Sequence, residues 1–278
     1  MKMLAGTPAI MRNKGGTPMT GYALDNSWDR AKRRLELLEH YLDPFTRRRF
    51  AALGIRDGLS CLEIGAGGGS IALWLSEKVG LSGKVVATDI NTALFDNLRR
   101  PNLVTLQHDI LNDPLPETGF DIVHTRWLLH HLPDPEKALR RMVEALCPGG
   151  WLLVEEVDFF PVHASPSADY SDFMTALVNT VVKASGRDCF WARALPKTIA
   201  GMGLSNVGAE GDYSILQGGS PVAEFFKLTA EQMKERMFDA GTIDPSTFAR
   251  SMRLLSDPTF WSFGGGGVAV WGQRPVGE

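Results

Sequence analysis

Apolar positions along this chain switch between a helical and an extended period, and the switches lay out its elements. Trp28, Ala31, Leu35, Leu38 and Leu42 recur every three or four residues, so residues 26–42 are expected to form an amphipathic helix. Asp43-Pro44 is an N-cap followed by a proline suited to a first helical turn, which predicts a second helix to about Leu53. The apolar run Cys61–Ile64 is expected to be a buried strand; it breaks into glycines, and Ile71-Ala72-Leu73-Trp74-Leu75 then opens a helical pattern. Lys84–Asp89 is a second strand ending in an acid, and Asn91 can cap the helix after it. Asp134-Pro135 starts another helix, which Pro148-Gly149-Gly150 ends. From residue 59 to 158 strands and helices alternate, which implies a parallel sheet with helices on both faces and ligands at the carboxyl ends of the strands.

Beyond residue 158, Ser167–Ala184 and Ala192–Met202 carry a looser helical pattern, and Val207–Leu216 and Gly267–Gln273 alternate as strands. Pro221–Leu255, between those strands, is helical and longer than a tight hairpin needs; it predicts a lid insertion at about residues 217–260. The glycines 264–267 are expected to bend the chain into the last strand rather than to cradle a phosphate, since no helix follows them. The expected organisation is a flexible segment 1–21, a helical cover 22–57 and one α/β domain 58–278.

Composition narrows this little. The 278 residues are 44% apolar, enough for a sizeable core, and the net charge of −3 implies no general attraction to phosphate backbones or anionic membranes. No apolar run approaches the roughly 20 residues of a membrane-spanning helix. The three cysteines have no paired spacing; Cys61 and Cys147 lie in apolar contexts that fit buried thiols in a reducing cytoplasm, and Cys189 is expected to be structural. Residues 1–21 hold two Thr-Pro pairs and little periodicity; Lys2, Arg12 and Lys14 raise a targeting segment, but no apolar stretch follows them, and Met19 is an alternative start.

The chemistry concentrates at Leu62–Ser70. A glycine-rich turn between strand and helix lets backbone approach a ligand and points the N–H groups of the helix start at it, as a nucleotide-like cofactor requires. Gly65 and Gly67 fit the dinucleotide fingerprint, but its third position is Ser70; the glycines run through Gly65, Gly67 and Gly69 instead. Glu63, two residues ahead, can accept a hydrogen bond from a cofactor ammonium group, whereas it would repel a pyrophosphate. Asp89 lies 24 residues after Gly65, about where a ribose-binding acid is expected.

With these residues the chain resembles the class I S-adenosylmethionine-dependent methyltransferases, small-molecule type. Leu106–Ile110, Phe120–His124, Trp127–Leu132 and Pro148–Glu156 extend the resemblance over about residues 58–158. It implies a Rossmann-like, doubly wound, seven-stranded, mostly parallel sheet with the last strand antiparallel. It implies S-adenosylmethionine as cofactor, held near Glu63, Gly65, Ala66, Gly67, Gly69 and Ser70. It further implies Asp89 and Ile90 at the ribose, Asp109 at the adenine amino group with Ile110 at its ring, and Thr125 and Arg126 beside the methionine end. The similar enzymes act on secondary metabolites and quinone precursors.

Methyl transfer is an in-line displacement that needs positioning and dryness more than a fixed base. His131 is a candidate general base, since an imidazole titrates near neutrality, or it packs beside its loop. His130 is expected to face away. Glu156 and Asp158 point to one side of their strand and offer a base, a hydrogen-bond acceptor for the substrate or a solvated strand end; no His, Asp or Glu spacing suggests a metal. Arg126 can bind a carboxylate or pair with a nearby acid. Trp127, Phe159, Phe160, Trp191, Tyr213 and Phe226, with Phe190 and Phe225, suggest an apolar or aromatic acceptor. An Asn-Pro-Pro-Tyr signature of amino-methylating nucleic-acid enzymes is missing after the fourth strand, where the chain reads His124-Thr125-Arg126-Trp127. The expected partner is therefore a small molecule, with no nucleic acid and no membrane, and the chain a cytoplasmic monomer or homodimer. Three other readings stay open: a cyclase-like protein that holds the cofactor without transferring its methyl, a nicotinamide-dependent oxidoreductase (against which Ser70 and Glu63 count), and a binding module.

Overall fold

The structure is a computed structural model that describes Leu24 and residues 28–95, 98–185 and 191–277. The expectations for residues 1–21, Cys189 and Phe190 lie outside the described residues.

Seven strands form one sheet in the order β3-β2-β1-β4-β5-β7-β6. They are β1 (Ser60–Ile64), β2 (Lys84–Asp89), β3 (Leu103–Gln107), β4 (Phe120–Arg126), β5 (Leu146–Asp158), β6 (Ser205–Gln217) and β7 (Trp261–Gln273). The first five pair in parallel, and β7 runs antiparallel to both β5 and β6. Strand order reverses between β1 and β4, and ligands of such sheets bind beyond the carboxyl ends at that point.

Alternation along the inner strands sorts side chains onto two faces. Cys61, Val85, Ala87, Ile122 and Leu153 pack with Phe50 of α1 (Ala31–Ala52) and with Ile71, Ala72, Leu75 and Val79 of α2 (Ser70–Val79). Leu62, Ile64, Val86, Val123, Leu152 and Val154 pack on the other side with Ala138, Leu139 and Met142 of α3 (Pro135–Ala145) and with Leu195 and Ile199 of α5 (Leu195–Ala200). Asp134 caps α3 by accepting from Lys137 N at 2.8 Å. A third core joins α1 to α4 (Ala168–Ser185), α6 (Pro221–Asp239) and α7 (Pro245–Leu254); the last two lie between β6 and β7 in sequence.

Two local expectations are corrected. Residues 31–52 are one helix with Pro44 inside it, not two helices. Asp43 does not cap: its carboxylate accepts from Ser70 Oγ at 2.9 Å and Arg126 Nη2 at 3.1 Å, and the buried stripe runs on through Leu42, Thr46, Arg49 and Phe50. The helix therefore loses one backbone donor at Pro44, which is on its solvent side. The glycines 264–267 lie inside β7 rather than ahead of it: Gly266 and Gly267 are paired on both edges, while Gly264 and Gly265 fall at a bulge against β6, where the expected bend is kept. Their role is close approach. A Cβ on Gly266 would meet the carbonyl oxygens of Asp158 and Asp212 at 2.8 and 3.0 Å.

Candidate functional site

The turn after β1 takes its shape from glycines with left-handed backbone: Gly65 at φ +74°, Gly67 at +59° and Gly69 at +85°. Other residues would each be strained there by roughly 1–2 kcal/mol. Gly65 N and Ala66 N both donate to Thr88 O, at 2.8 and 3.0 Å, which ties the turn to the end of β2. There the Asp89 carboxylate accepts from Gly67 N and from Asn91 N, both at 3.0 Å. Burial pushes the Asp89 carboxyl above its ordinary pKa, against the pull of these backbone donors. Ile90 beside it is 51% exposed. Beyond β3, Asp109 accepts from Leu111 N at 2.8 Å and Asn112 Nδ2 at 2.7 Å; partial burial raises its carboxyl, but these donors carry it below the ordinary value. Ile110 is buried in the core under α3, not displayed at the strand ends, so the exposed apolar side chain here is Ile90.

Around the turn, α1 supplies acids that local pattern did not reveal. Glu39 Oε1 accepts from Ser70 N at 3.4 Å, at the start of α2, and burial pushes its carboxyl up. The bare Gly68 makes room for it: a Cβ there would come within 2.5 Å of Glu39 Oε1.

Under the turn runs a buried chain of charges. His124, wholly buried in β4, donates Nδ1–H to Glu63 Oε2 at 2.6 Å and Nε2–H to Glu155 Oε2 at 3.1 Å. Burial alone would lower its pKa; the two carboxylates outweigh burial and hold it at about 9. Glu155 is brought down to about 2, against burial, by His124, Arg49 and Arg126. Arg49 also pairs with Glu210 and Asp212 of β6, and Thr46 donates to Glu155. Glu63 thus spends its charge on an internal imidazolium. Thr125 is fully buried and donates to Ile64 O at 2.9 Å, so it joins β1 to β4 rather than facing a ligand. Arg126 pairs with Asp43 and donates to Thr46 Oγ1 at 3.0 Å, which is the ion-pair alternative.

The proposed bases separate. Glu156 is buried, and its carboxylate accepts from Leu128 N (3.0 Å), Leu129 N (2.6 Å) and His130 Nδ1 (2.7 Å). It anchors the segment after β4, with His130 buried against it and not among the residues that line the cavity at the strand ends. Asp158 is clamped by Arg193 through Nε at 2.6 Å and Nη2 at 2.9 Å. His131 is half-buried in the 3₁₀ turn Leu129–His131, its ring 3.8 Å from that of His130.

Among the aromatics, Trp127 packs edge-on to Phe159 and Phe225, and Phe159 to Phe226. Trp127 has φ +53°, a costly conformation for a bulky residue; it stands at the junction of β4 with the Glu156-anchored turn. Phe160 and Tyr213 are exposed, and Trp191 packs against the core under α3. Tyr41, Phe45, Thr46, Arg49, Arg126, Trp127, Glu155 and Glu156 line a cavity of about 30 Å³ at the strand ends, roughly the room of a water or two. Tyr41 Oη lies 2.8 Å from both Ser214 Oγ and Gly265 O. Among the described residues no three His, Cys, Asp or Glu side chains converge as metal ligands. No described helix is long and apolar enough to cross a membrane.

Comparison with known proteins agrees with this geometry. Residues 62–154 match the family model described as a methyltransferase domain. The chain is 34% identical over 157 residues to methyltransferase str3 of Strobilurus tenacellus, covering 54% of this chain and 53% of that protein. It is 31% identical over 150 residues to a ubiquinone/menaquinone biosynthesis C-methyltransferase of Pseudoalteromonas translucida, covering 51% of this chain and 59% of that protein. The chain thus spans a little over half the length of these curated relatives. A phosphoethanolamine N-methyltransferase of Haemonchus contortus, solved with phosphomonomethylethanolamine and S-adenosylhomocysteine, superposes with TM-score 0.59 at 14% identity, over 92% of this chain and 60% of that one. That likeness is one of fold.

Proposed function

We propose that this chain, whose residues 62–154 belong to the class I S-adenosylmethionine-dependent methyltransferase family, transfers a methyl group to an oxygen, carbon or nitrogen of a small, partly apolar acceptor. One observation carries the reading: three left-handed glycines form the turn between β1 and α2, and the acid ending β2 is hydrogen-bonded to that turn's backbone. S-adenosylmethionine supplies a methyl carbon activated by its sulfonium sulfur. The chain's residues suit it. Asp89 offers a carboxylate for ribose hydroxyls, Ile90 an apolar face for adenine and Asp109 an acceptor for its amino group. Gly65, Ala66, Gly67, Gly69 and Ser70 bring backbone close, while Glu63, Thr125 and Arg126 act by holding the turn and strand ends together.

Trp127, Phe159, Phe225 and Phe226 form the apolar wall for the acceptor, excluding water and offering ring faces to positive charge. The cavity beside Trp127 is too small for an acceptor and no described residue of α6 or α7 lines it, so the reading requires α6, which packs with α1 in the third core, to part from α1 and open the aromatic wall. His131 is the remaining candidate base: Glu155 is too acidic, Glu156 serves backbone donors and Asp158 serves Arg193. The net charge of −3 favours a small molecule over DNA or RNA. The thiols of Cys61 and Cys147, free among the described residues, fit action in the cytoplasm, and a monomer or homodimer is the assembly we expect.

Mass spectrometry after incubation with S-adenosylmethionine and a panel of phenols, quinols and apolar acids tests this. Methylated acceptor and S-adenosylhomocysteine are expected in equal amounts. An acceptor converted without S-adenosylhomocysteine would overturn methyl transfer in favour of a cyclase-like role.

A further inference from the structure

Three arginines, Arg30, Arg33 and Arg34, stand at the start of α1, and among the described residues two of them have charged partners. Arg33 pairs with Glu224 and Arg30 with Glu231, both on α6 and both at the surface. Arg34 is 1% exposed, and its Nε and Nη2 have no hydrogen-bond partner among the described residues. No ion pair or ring contact involves it among the described residues. A guanidinium carries five donors and stays charged at any physiological pH. Burying one without an anion costs several kcal/mol, whereas buried charges in proteins are ordinarily paired.

Helix geometry says which side Arg34 serves. At 100° per residue, Leu38, Tyr41 and Phe45 lie within about 40° of Arg34 around the axis, whereas Glu39 lies about 140° away. Glu39 faces the glycine turn through Ser70. Leu37 and Leu38, one turn on from Arg34, pack in the core that holds Trp127, Phe159, Phe225 and Phe226. Tyr41 and Phe45 line the cavity at the strand ends. The stripe therefore belongs to the acceptor side, and the core that Leu37 and Leu38 join includes Ala223, Phe226, Ala230, Met233 and Met237 of α6, with Leu177 of α4.

Building on the methyltransferase reading, we propose that Arg34 is the specificity residue for an acidic acceptor: a molecule with a carboxylate at one end of an apolar body. The planar guanidinium takes the carboxylate through two parallel N–H···O bonds, and the aromatic wall takes the body. From Arg34 to Tyr41 the helix rises about 10 Å, which sets the scale between the carboxylate and the reacting end.

The test uses the full chain and defined probes: octanoate and 4-phenylbutyrate, their primary amides, and inorganic phosphate. Thermal unfolding is expected to shift upward with the carboxylates and not with the amides or phosphate. Arg34→Met is expected to raise the melting temperature of the free protein, since it removes a buried unpaired charge. It should weaken carboxylate binding about tenfold or more, while S-adenosylmethionine affinity stays as in the wild type. Equal shifts from carboxylates and amides on the wild-type chain would overturn the proposal without any variant. So would an equal shift from phosphate alone, a carboxylate response that survives Arg34→Met, or a loss of S-adenosylmethionine affinity in that variant, which would assign Arg34 to the cofactor. Failure of the wild-type chain to bind S-adenosylmethionine would instead strike the methyltransferase reading.

Discussion

Glu156 accepts two backbone N–H bonds and one from His130 while buried, so its carboxylate is already spent. Glu156→Ala strands those donors and is expected to lower stability by about 2–4 kcal/mol, read as a drop in the urea midpoint at unchanged slope. A variant of wild-type stability but without turnover would return Glu156 to the role of base. At this scale the sequence is readable where chemistry is local. Gly65, Gly67 and Gly69 need left-handed backbone within one turn, and Asp89 ends a short apolar run that reads as a buried strand. The chain Glu63–His124–Glu155–Arg49 is not readable, because its members come from β1, β4, β5 and α1 and meet only when the sheet forms. Arg34 looks in sequence like any arginine of a charged run; only its burial marks it. Thr125 falls at the expected strand end, yet its place in the register of β4 turns it toward the core, and Ile110, in the turn beyond β3, is buried under α3.

Close approach rules the last strand. A Cβ on Gly266 meets two carbonyl oxygens at 2.8 and 3.0 Å, while one on Gly267 meets only Glu156 O at 3.6 Å. Gly266→Ala is therefore expected to cost about 1–3 kcal/mol and Gly267→Ala less than about 1, compared by thermal unfolding. Equal losses would mean that strand flexibility, not space, selects these glycines. The misread elements share one cause. Asp43-Pro44 and the glycine run are strong local stop signals, and tertiary partners override them: Ser70 and Arg126 for Asp43, and strands β5 and β6 for Gly266 and Gly267, while Gly264 and Gly265 keep their bend as a bulge. Within residues 59–158 the strands stand where the periodicity puts them, but the helix expected after Asp89 is a 3₁₀ turn, Thr92–Leu94, no helix separates β3 from β4 among the described residues, and Pro148–Gly150 lie inside β5.

Across the whole molecule, the buried imidazolium couples stability to pH. His124 is held at about 9 against an ordinary 6.5, so its contribution is complete below about pH 6.5 and is lost as pH rises through about 9. Glu155, held at about 2, contributes above its ordinary 4.5 and loses that contribution as pH falls through about 2. Unfolding free energy is expected to fall by up to about 3 kcal/mol between pH 6.5 and 9, and His124→Gln should remove that slope. A wild-type profile flat over this range would mean that His124 is neutral in the folded chain. The central claim is that the turn after β1 and the acid ending β2 bind S-adenosylmethionine. Titration calorimetry with S-adenosylmethionine and, separately, NAD tests it most directly. The account predicts binding of S-adenosylmethionine, weakened at least about tenfold by Asp89→Ala through loss of charge-assisted hydrogen bonds, and none of NAD. Binding of NAD without S-adenosylmethionine, or an Asp89→Ala variant of unchanged affinity, would contradict it.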